Sequence, residues 1–131
     1  MAQRIGSDST KGGRVQCTAA TDLTSAAFTI GAGFGTTSVL AITAGSNDIS
    51  GAFTVTCDAT AAQATATIVI VFTDLAYPNA PHVLVNVYSD NAITDSGSVR
   101  SVTTTLQTTI TLDVLPVDTK IYQFSYLVCG K

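Results

Sequence analysis

From about Val15 onward the chain is built of short runs in which apolar residues alternate with threonine and other polar residues, each run closed by Gly, Asn, Asp or Pro. A two-residue period sends successive side chains to opposite faces of an extended backbone, so each run predicts a half-buried strand. Strands are predicted over residues 14–20, 25–30, 36–43, 51–57, 64–73, 82–88, 98–104, 106–114 and 121–129. Over 52–57, Phe53, Val55 and Cys57 share one face, with Thr54 and Thr56 on the other. Over 109–114 the face of Ile110, Leu112 and Val114 is apolar, and the last strand lines up Tyr122, Phe124, Tyr126 and Val128. Helical periodicity with caps is missing throughout, although residues 58–63 suit one short turn.

The run 68–72, Ile-Val-Ile-Val-Phe, is apolar on both faces. A strand of that kind is covered on both sides, yet in a two-sheet sandwich only one face meets the core. The second face, carrying Val69 and Val71, needs a loop or another subunit over it, because an open apolar row invites aggregation. The expectation is a subunit contact through Val69 and Val71 in a symmetric homo-oligomer, a trimer. The punctuation between runs suits turns: Ser46-Asn47-Asp48, Asp90-Asn91, and the Pro78 to Pro81 bend before a strand. The fold class is therefore all-β, a single-domain antiparallel β-sandwich or jelly-roll-like domain over 14–131, preceded by a flexible polar arm over 1–13.

Composition agrees with strands. Charged residues make up 11% of the 131 residues, against about 25% in an ordinary soluble protein. Polarity comes from Thr, Ser and Asn; Thr is the commonest residue, and Glu and Trp are absent. A net charge of −3 with only six basic residues argues against nucleic acid, whose phosphates need a clustered Lys/Arg footprint. Arg4, Lys11 and Arg14 sit together in the arm, where they either dock on an acidic partner surface or stay solvated. No stretch reaches the ~20 apolar residues of a membrane span, and the start lacks a secretory apolar stretch, so neither membrane insertion nor signal-directed export is expected. The three cysteines, Cys17, Cys57 and Cys129, are widely spaced and odd in number, fitting buried reduced thiols or one bridge with a thiol left over.

Chemistry finds few candidates. The lone histidine, His82, starts a strand and would have to serve any nucleophilic triad. The nine acidic residues are all Asp and fall in turns or at strand ends, where Asp bonds its own backbone. Asn47, Asp48, Asp90, Asn91 and Asp95 are oxygen-rich, but no calcium loop is spelled, and turn chemistry is the default. Gly31-Ala32-Gly33-Phe34-Gly35 lacks the Gly-Lys-Ser/Thr of a phosphate loop and reads as a flexible turn. No catalytic residue, metal or cofactor is expected.

The stretch 67–81, Thr-Ile-Val-Ile-Val-Phe-Thr-Asp-Leu-Ala-Tyr-Pro-Asn-Ala-Pro, runs directly into the strand His82-Val83-Leu84-Val85-Asn86-Val87. It resembles a pattern of bacteriophage fibre and virion surface β-domains: a strand ending in Phe, an aromatic bend, Pro-x-Ala-Pro, then an apolar strand. The close on Phe124-Ser125-Tyr126-Leu127-Val128-Cys129-Gly130 and the Gly-rich lead-in over 6–13 are similar to such domains, and H-type lectin domains share the broad arrangement. The resemblance covers about half the chain and carries no catalytic residue across. It implies a structural place in a virion, in contact with a major capsid or tail protein and assembled in the host cytoplasm. The start at its own Met without a stalk favours a capsid decoration or head-fibre subunit. One alternative is a fibre-tip module binding a host surface glycan or receptor through Tyr77, Tyr88, Asp90 and Asn91; another is an extracellular filament subunit.

Overall fold

Phe53, Phe124 and Tyr122 lie at the centre of the molecule because alternation puts them on the inward face of two neighbouring strands. The computed structural model describes residues 21–61, 65–74, 76–89 and 99–130. Within them eight strands run in order: β1 (Phe28–Ile30), β2 (Val39–Ile42), β3 (Ser50–Thr56), β4 (Thr67–Val71), β5 (His82–Ser89), β6 (Val99–Thr103), β7 (Gln107–Leu112) and β8 (Ile121–Cys129). They form two four-stranded sheets, ordered β1-β4-β7-β6 and β2-β3-β8-β5, and every pairing is antiparallel. The all-β sandwich expected from the alternation is what the chain forms. The strand expected over 14–20 and the arm over 1–13 lie outside the described residues, as do Arg4, Lys11, Arg14 and Cys17.

The connectivity is nested. β3 pairs with β8 and β4 with β7, while β5 and β6 meet across the side of the sandwich, where the Ser101 hydroxyl donates to the Val83 carbonyl at 3.1 Å. Pairing of early strands with late ones is what rolling up a long hairpin produces, and in this respect the fold is jelly-roll-like. Most of these contacts join residues far apart in sequence, which makes folding slow relative to a local topology.

The two inner faces differ in kind. The β2-β3-β8-β5 sheet contributes aromatic rings: Phe53 stacks on Phe124 with centroids 4.9 Å apart, and Tyr126 tilts against Phe53 at 6.3 Å. The β1-β4-β7-β6 sheet answers with Ile68, Ile70, Ile110 and Leu112, all buried, plus Phe28 edge-on to Phe53 at 5.1 Å. Flat rings thus meet branched aliphatics across the space between the sheets. The one fully buried polar residue of the second sheet, Thr108, shares a hydrogen bond with Thr103 at 3.0 Å across the β6–β7 hairpin. Truncating a ring at this centre, as in Phe124→Ala, would cost about 3–5 kcal/mol.

Three local expectations are corrected. β7 ends at Leu112, so Val114 leaves the core face and is exposed. The strand predicted over 25–30 is shorter than expected, because Ser25–Ala27 forms a 3₁₀ turn before β1. The glycine-rich 31–35 stretch is not a loose turn: Ala32–Phe34 forms a second 3₁₀ turn that inserts Phe34, fully buried, edge-on to Tyr122 and Phe124. Gly35 ends this turn at φ 102°, a conformation that favours glycine, with the Asp58 carboxylate where a Cβ would stand.

Candidate functional site

Strand direction sorts the loops into two ends. The described connections over 31–38, 57–61, 65–66 and 113–120 lie at one end; those over 43–49, 72–74, 76–81 and 104–106, with the incoming segment 21–27, lie at the other. At each end one carboxylate gathers donors. Asp48 is buried and accepts from the Thr73 and Asp74 main-chain N–H groups at 3.0 and 2.6 Å. Its own carbonyl accepts from the Tyr77 hydroxyl at 3.2 Å, and the Tyr126 hydroxyl donates to the Asn47 carbonyl at 2.7 Å. Burial, with Asp48 and Tyr77 nearby, pushes the Tyr126 phenol well above its ordinary range. This loop ties the β2–β3 hairpin to the β4–β5 connection and, through Leu23 N–H to the Ser46 carbonyl at 2.7 Å, to the incoming chain.

At the opposite end Asp58 accepts from the Thr60 hydroxyl and N–H, both at 2.6 Å, and from the Thr37 hydroxyl at 2.7 Å and the Thr37 N–H. Those bonds, the Thr60 hydroxyl first, hold its carboxyl well below the usual carboxylate range. Neighbouring Cys57 is buried, and desolvation pushes its thiol up to about 11, with Asp58 and Asp118 adding to the effect. Both carboxylates are thus occupied by donors from loops at their own end of the sandwich. Among the described residues no three His, Cys or Asp side chains converge as a metal site requires. Every buried side-chain nitrogen or oxygen among them has a hydrogen-bond partner.

The expected site residues disperse. Tyr77 is half-buried, packs edge-on against Phe72 at 5.0 Å and spends its hydroxyl on Asp48. Tyr88 lies on β5, while Asp90, Asn91 and Asp95 fall outside the described residues. His82 opens β5 on the outer face, opposite Cys129 in the register. Of the two cysteines described, both are free, Cys57 buried and Cys129 exposed. Val69 and Val71 do point outward, Val69 half-buried and Val71 39% exposed. Their flanking partners in the sheet are polar: Thr29 and Thr109 beside Val69, and Gln107 beside Val71. The expected second apolar row is therefore interleaved with hydroxyls and amides.

A contiguous apolar surface lies on the other sheet. Leu84 of β5 and Leu127 of β8 are directly paired across the two strands, on the outer face, at 63% and 40% exposure. With Asn86 and Ser125 they line a shallow open depression of about 250 Å³. Its sequence signal was present: Val83-Leu84-Val85 and Tyr126-Leu127-Val128 break the alternation with an apolar residue on the polar face, as 68–72 does. A second exposed group, Val114, Leu115 and Val117, sits on the β7–β8 loop, whose Val117 N–H donates to the Tyr122 hydroxyl at 3.0 Å. No family model matches the chain, and no curated protein or solved structure shows significant similarity to it.

Proposed function

We propose that the chain is a non-enzymatic structural protein of a bacteriophage particle, a capsid decoration or head-fibre subunit that works through its sheet faces. One observation carries the reading: a well-paired sheet exposes two leucines side by side, Leu84 and Leu127, on a face bearing no Asp, Lys or Arg among its described residues. Monomeric surfaces usually break up such apolar area with charge, and a face left bare marks a contact. The virion assignment rests on the resemblance of residues 67–87 to phage surface domains. The use of Asp48 and Asp58 as loop fasteners supports a structural part, since it spends on stability the carboxylates best placed for chemistry. The glycan-binding alternative draws less support, because Tyr77 is committed to Phe72 and Asp48.

Gradient-purified particles of the phage that encodes the chain provide the test. Quantitative mass spectrometry should find the chain in a fixed copy ratio to the major capsid protein, and antibody labelling should place it on the particle exterior. Particles that lack the chain while it accumulates free in the lysate would remove the proposal.

A further inference from the structure

We infer that the outer face of the β2-β3-β8-β5 sheet, centred on Leu84 and Leu127, is where this protein packs against further copies of itself. The inference deepens the proposed function by naming the surface and its occupant, and it rests on the reading that the sheet faces are the working surfaces.

Register defines the face. Outward positions include Val39 and Ala41 on β2, Ala52, Thr54 and Thr56 on β3, Gln123, Ser125, Leu127 and Cys129 on β8, and His82, Leu84 and Asn86 on β5. None is Asp, Lys or Arg. The described acidic residues lie instead in the connections, at Asp22, Asp48, Asp58, Asp74, Asp113 and Asp118. That separation selects the occupant. A charged partner would lose its water here without meeting a counter-charge, which is costly. A second copy brings a face equally free of carboxylate, ammonium and guanidinium groups, so none of these is desolvated and none repels, with His82 the titratable side chain at its margin. The exposed Asn86 amide and Ser125 hydroxyl carry both donor and acceptor, so each can pair with an identical group.

The opposite face fits self-association less well. Its outward residues include Arg100, which pairs with Asp113 at 2.6 Å, and its exposed Val71 and Val102 are separated by Gln107 and Thr109 of β7. On the inferred face the two leucines adjoin and a depression lies beside them, giving an apolar centre inside a polar rim. Size sets the strength. Four strands at a spacing of about 4.8 Å, the longest of nine residues, span roughly 500 Å² in projection. A standard interface buries about 800 Å² per partner, so copies held by this face alone should associate at micromolar rather than nanomolar concentration.

The test is sedimentation equilibrium and light scattering on the full chain across the micromolar range. The wild type should assemble, two copies meeting face to face about a twofold axis; three copies would keep the surface and replace the twofold axis by a threefold. Leu84→Asp should weaken assembly at least about tenfold, since a charge at an apolar centre loses its hydration on contact. Val71→Asp and Val102→Asp, on the opposite face, should leave it unchanged. Circular dichroism and thermal melting check that Leu84→Asp is folded; if it is not, Leu84→Gln takes its place. A wild type that stays monomeric, or assembly lost through Val71→Asp and retained in Leu84→Asp, overturns the inference. So does a monomer that assembles only once residues 1–20 are deleted, since the arm would then be the occupant. Particle incorporation separates this result from the broader reading: a monomeric chain still found on virions sinks the surface alone, and assembly through Leu84 in a chain absent from virions sinks the virion reading alone.

Discussion

The two ends of the sandwich solve one problem with the same side chain in opposite surroundings. Each must hold crossing loops against a sheet edge, and each uses one aspartate to collect threonine and main-chain donors. Asp48 does so in the interior, roofed by Tyr77 and adjoining Tyr126, whereas Asp58 does so where water reaches it. β8 serves both, with the Tyr126 hydroxyl donating at the Asp48 end and the Tyr122 hydroxyl accepting at the Asp58 end. The difference teaches that number of hydrogen bonds and energetic weight are separate quantities. Asp58 has more donors in reach, but water can replace any of them; Asp48 has fewer, and nothing replaces them.

The largest effect should come from Asp48→Ala. It strands the Thr73 and Asp74 N–H groups, and loss of two charge-assisted bonds at a buried site is worth about 3 kcal/mol or more, read as a lower urea midpoint. The mirror substitution, Asp58→Ala, should lower the midpoint by clearly less; an equal loss would break the comparison.

Next in size are the tyrosines. Tyr126→Phe orphans the Asn47 carbonyl and should cost about 1–2 kcal/mol, and Tyr122→Phe, which frees a loop N–H nearer solvent, about 1 kcal/mol. At Gly51 a Cβ would meet the Tyr126 hydroxyl at 2.6 Å, so Gly51→Ala should exceed Gly45→Ala, where only the φ of 82° resists, at about 1 kcal/mol.

A smaller effect is pH dependence. Because Asp58 is held below its ordinary 3.8, its contribution is whole above that pH and is lost as pH falls toward its folded value. Asp58→Asn should flatten the fall in urea midpoint between about pH 4 and pH 2. The raised thiol pKa of Cys57 has the opposite sense: its contribution is whole below the ordinary 9.0 and is lost as pH rises toward about 11.

The smallest change, invisible to stability, is alkylation. In the native protein iodoacetamide should label the exposed Cys129 and spare Cys57 until unfolding, as peptide mapping would show. Rapid native labelling of Cys57 would mean that the Asp58 end opens far more often than its bonds suggest.

Alternation in the chain was enough to place β3 and β8 nearly to the residue and to set which face of β7 is buried, because a one-residue slip would turn Phe53, Ile110 or Tyr122 out to solvent. It was also enough for the fold class, since Thr, Val and Ile at a period of two leave no helical face to bury. It could not tell that Phe34, set among glycines, fills the core, because only the facing Tyr122 and Phe124 make room for it. Nor could it decide what the doubly apolar stretches mean. Val69 and Val71 read as one apolar row, but cross-strand partners come from distant sequence, and those turned out to be Thr29, Thr109 and Gln107. Leu84 and Leu127 stand 43 positions apart and read as isolated exceptions, until the β5–β8 register joins them into one patch. Local periodicity determines which way a side chain faces. What it faces is decided by strand order, which belongs to the tertiary structure.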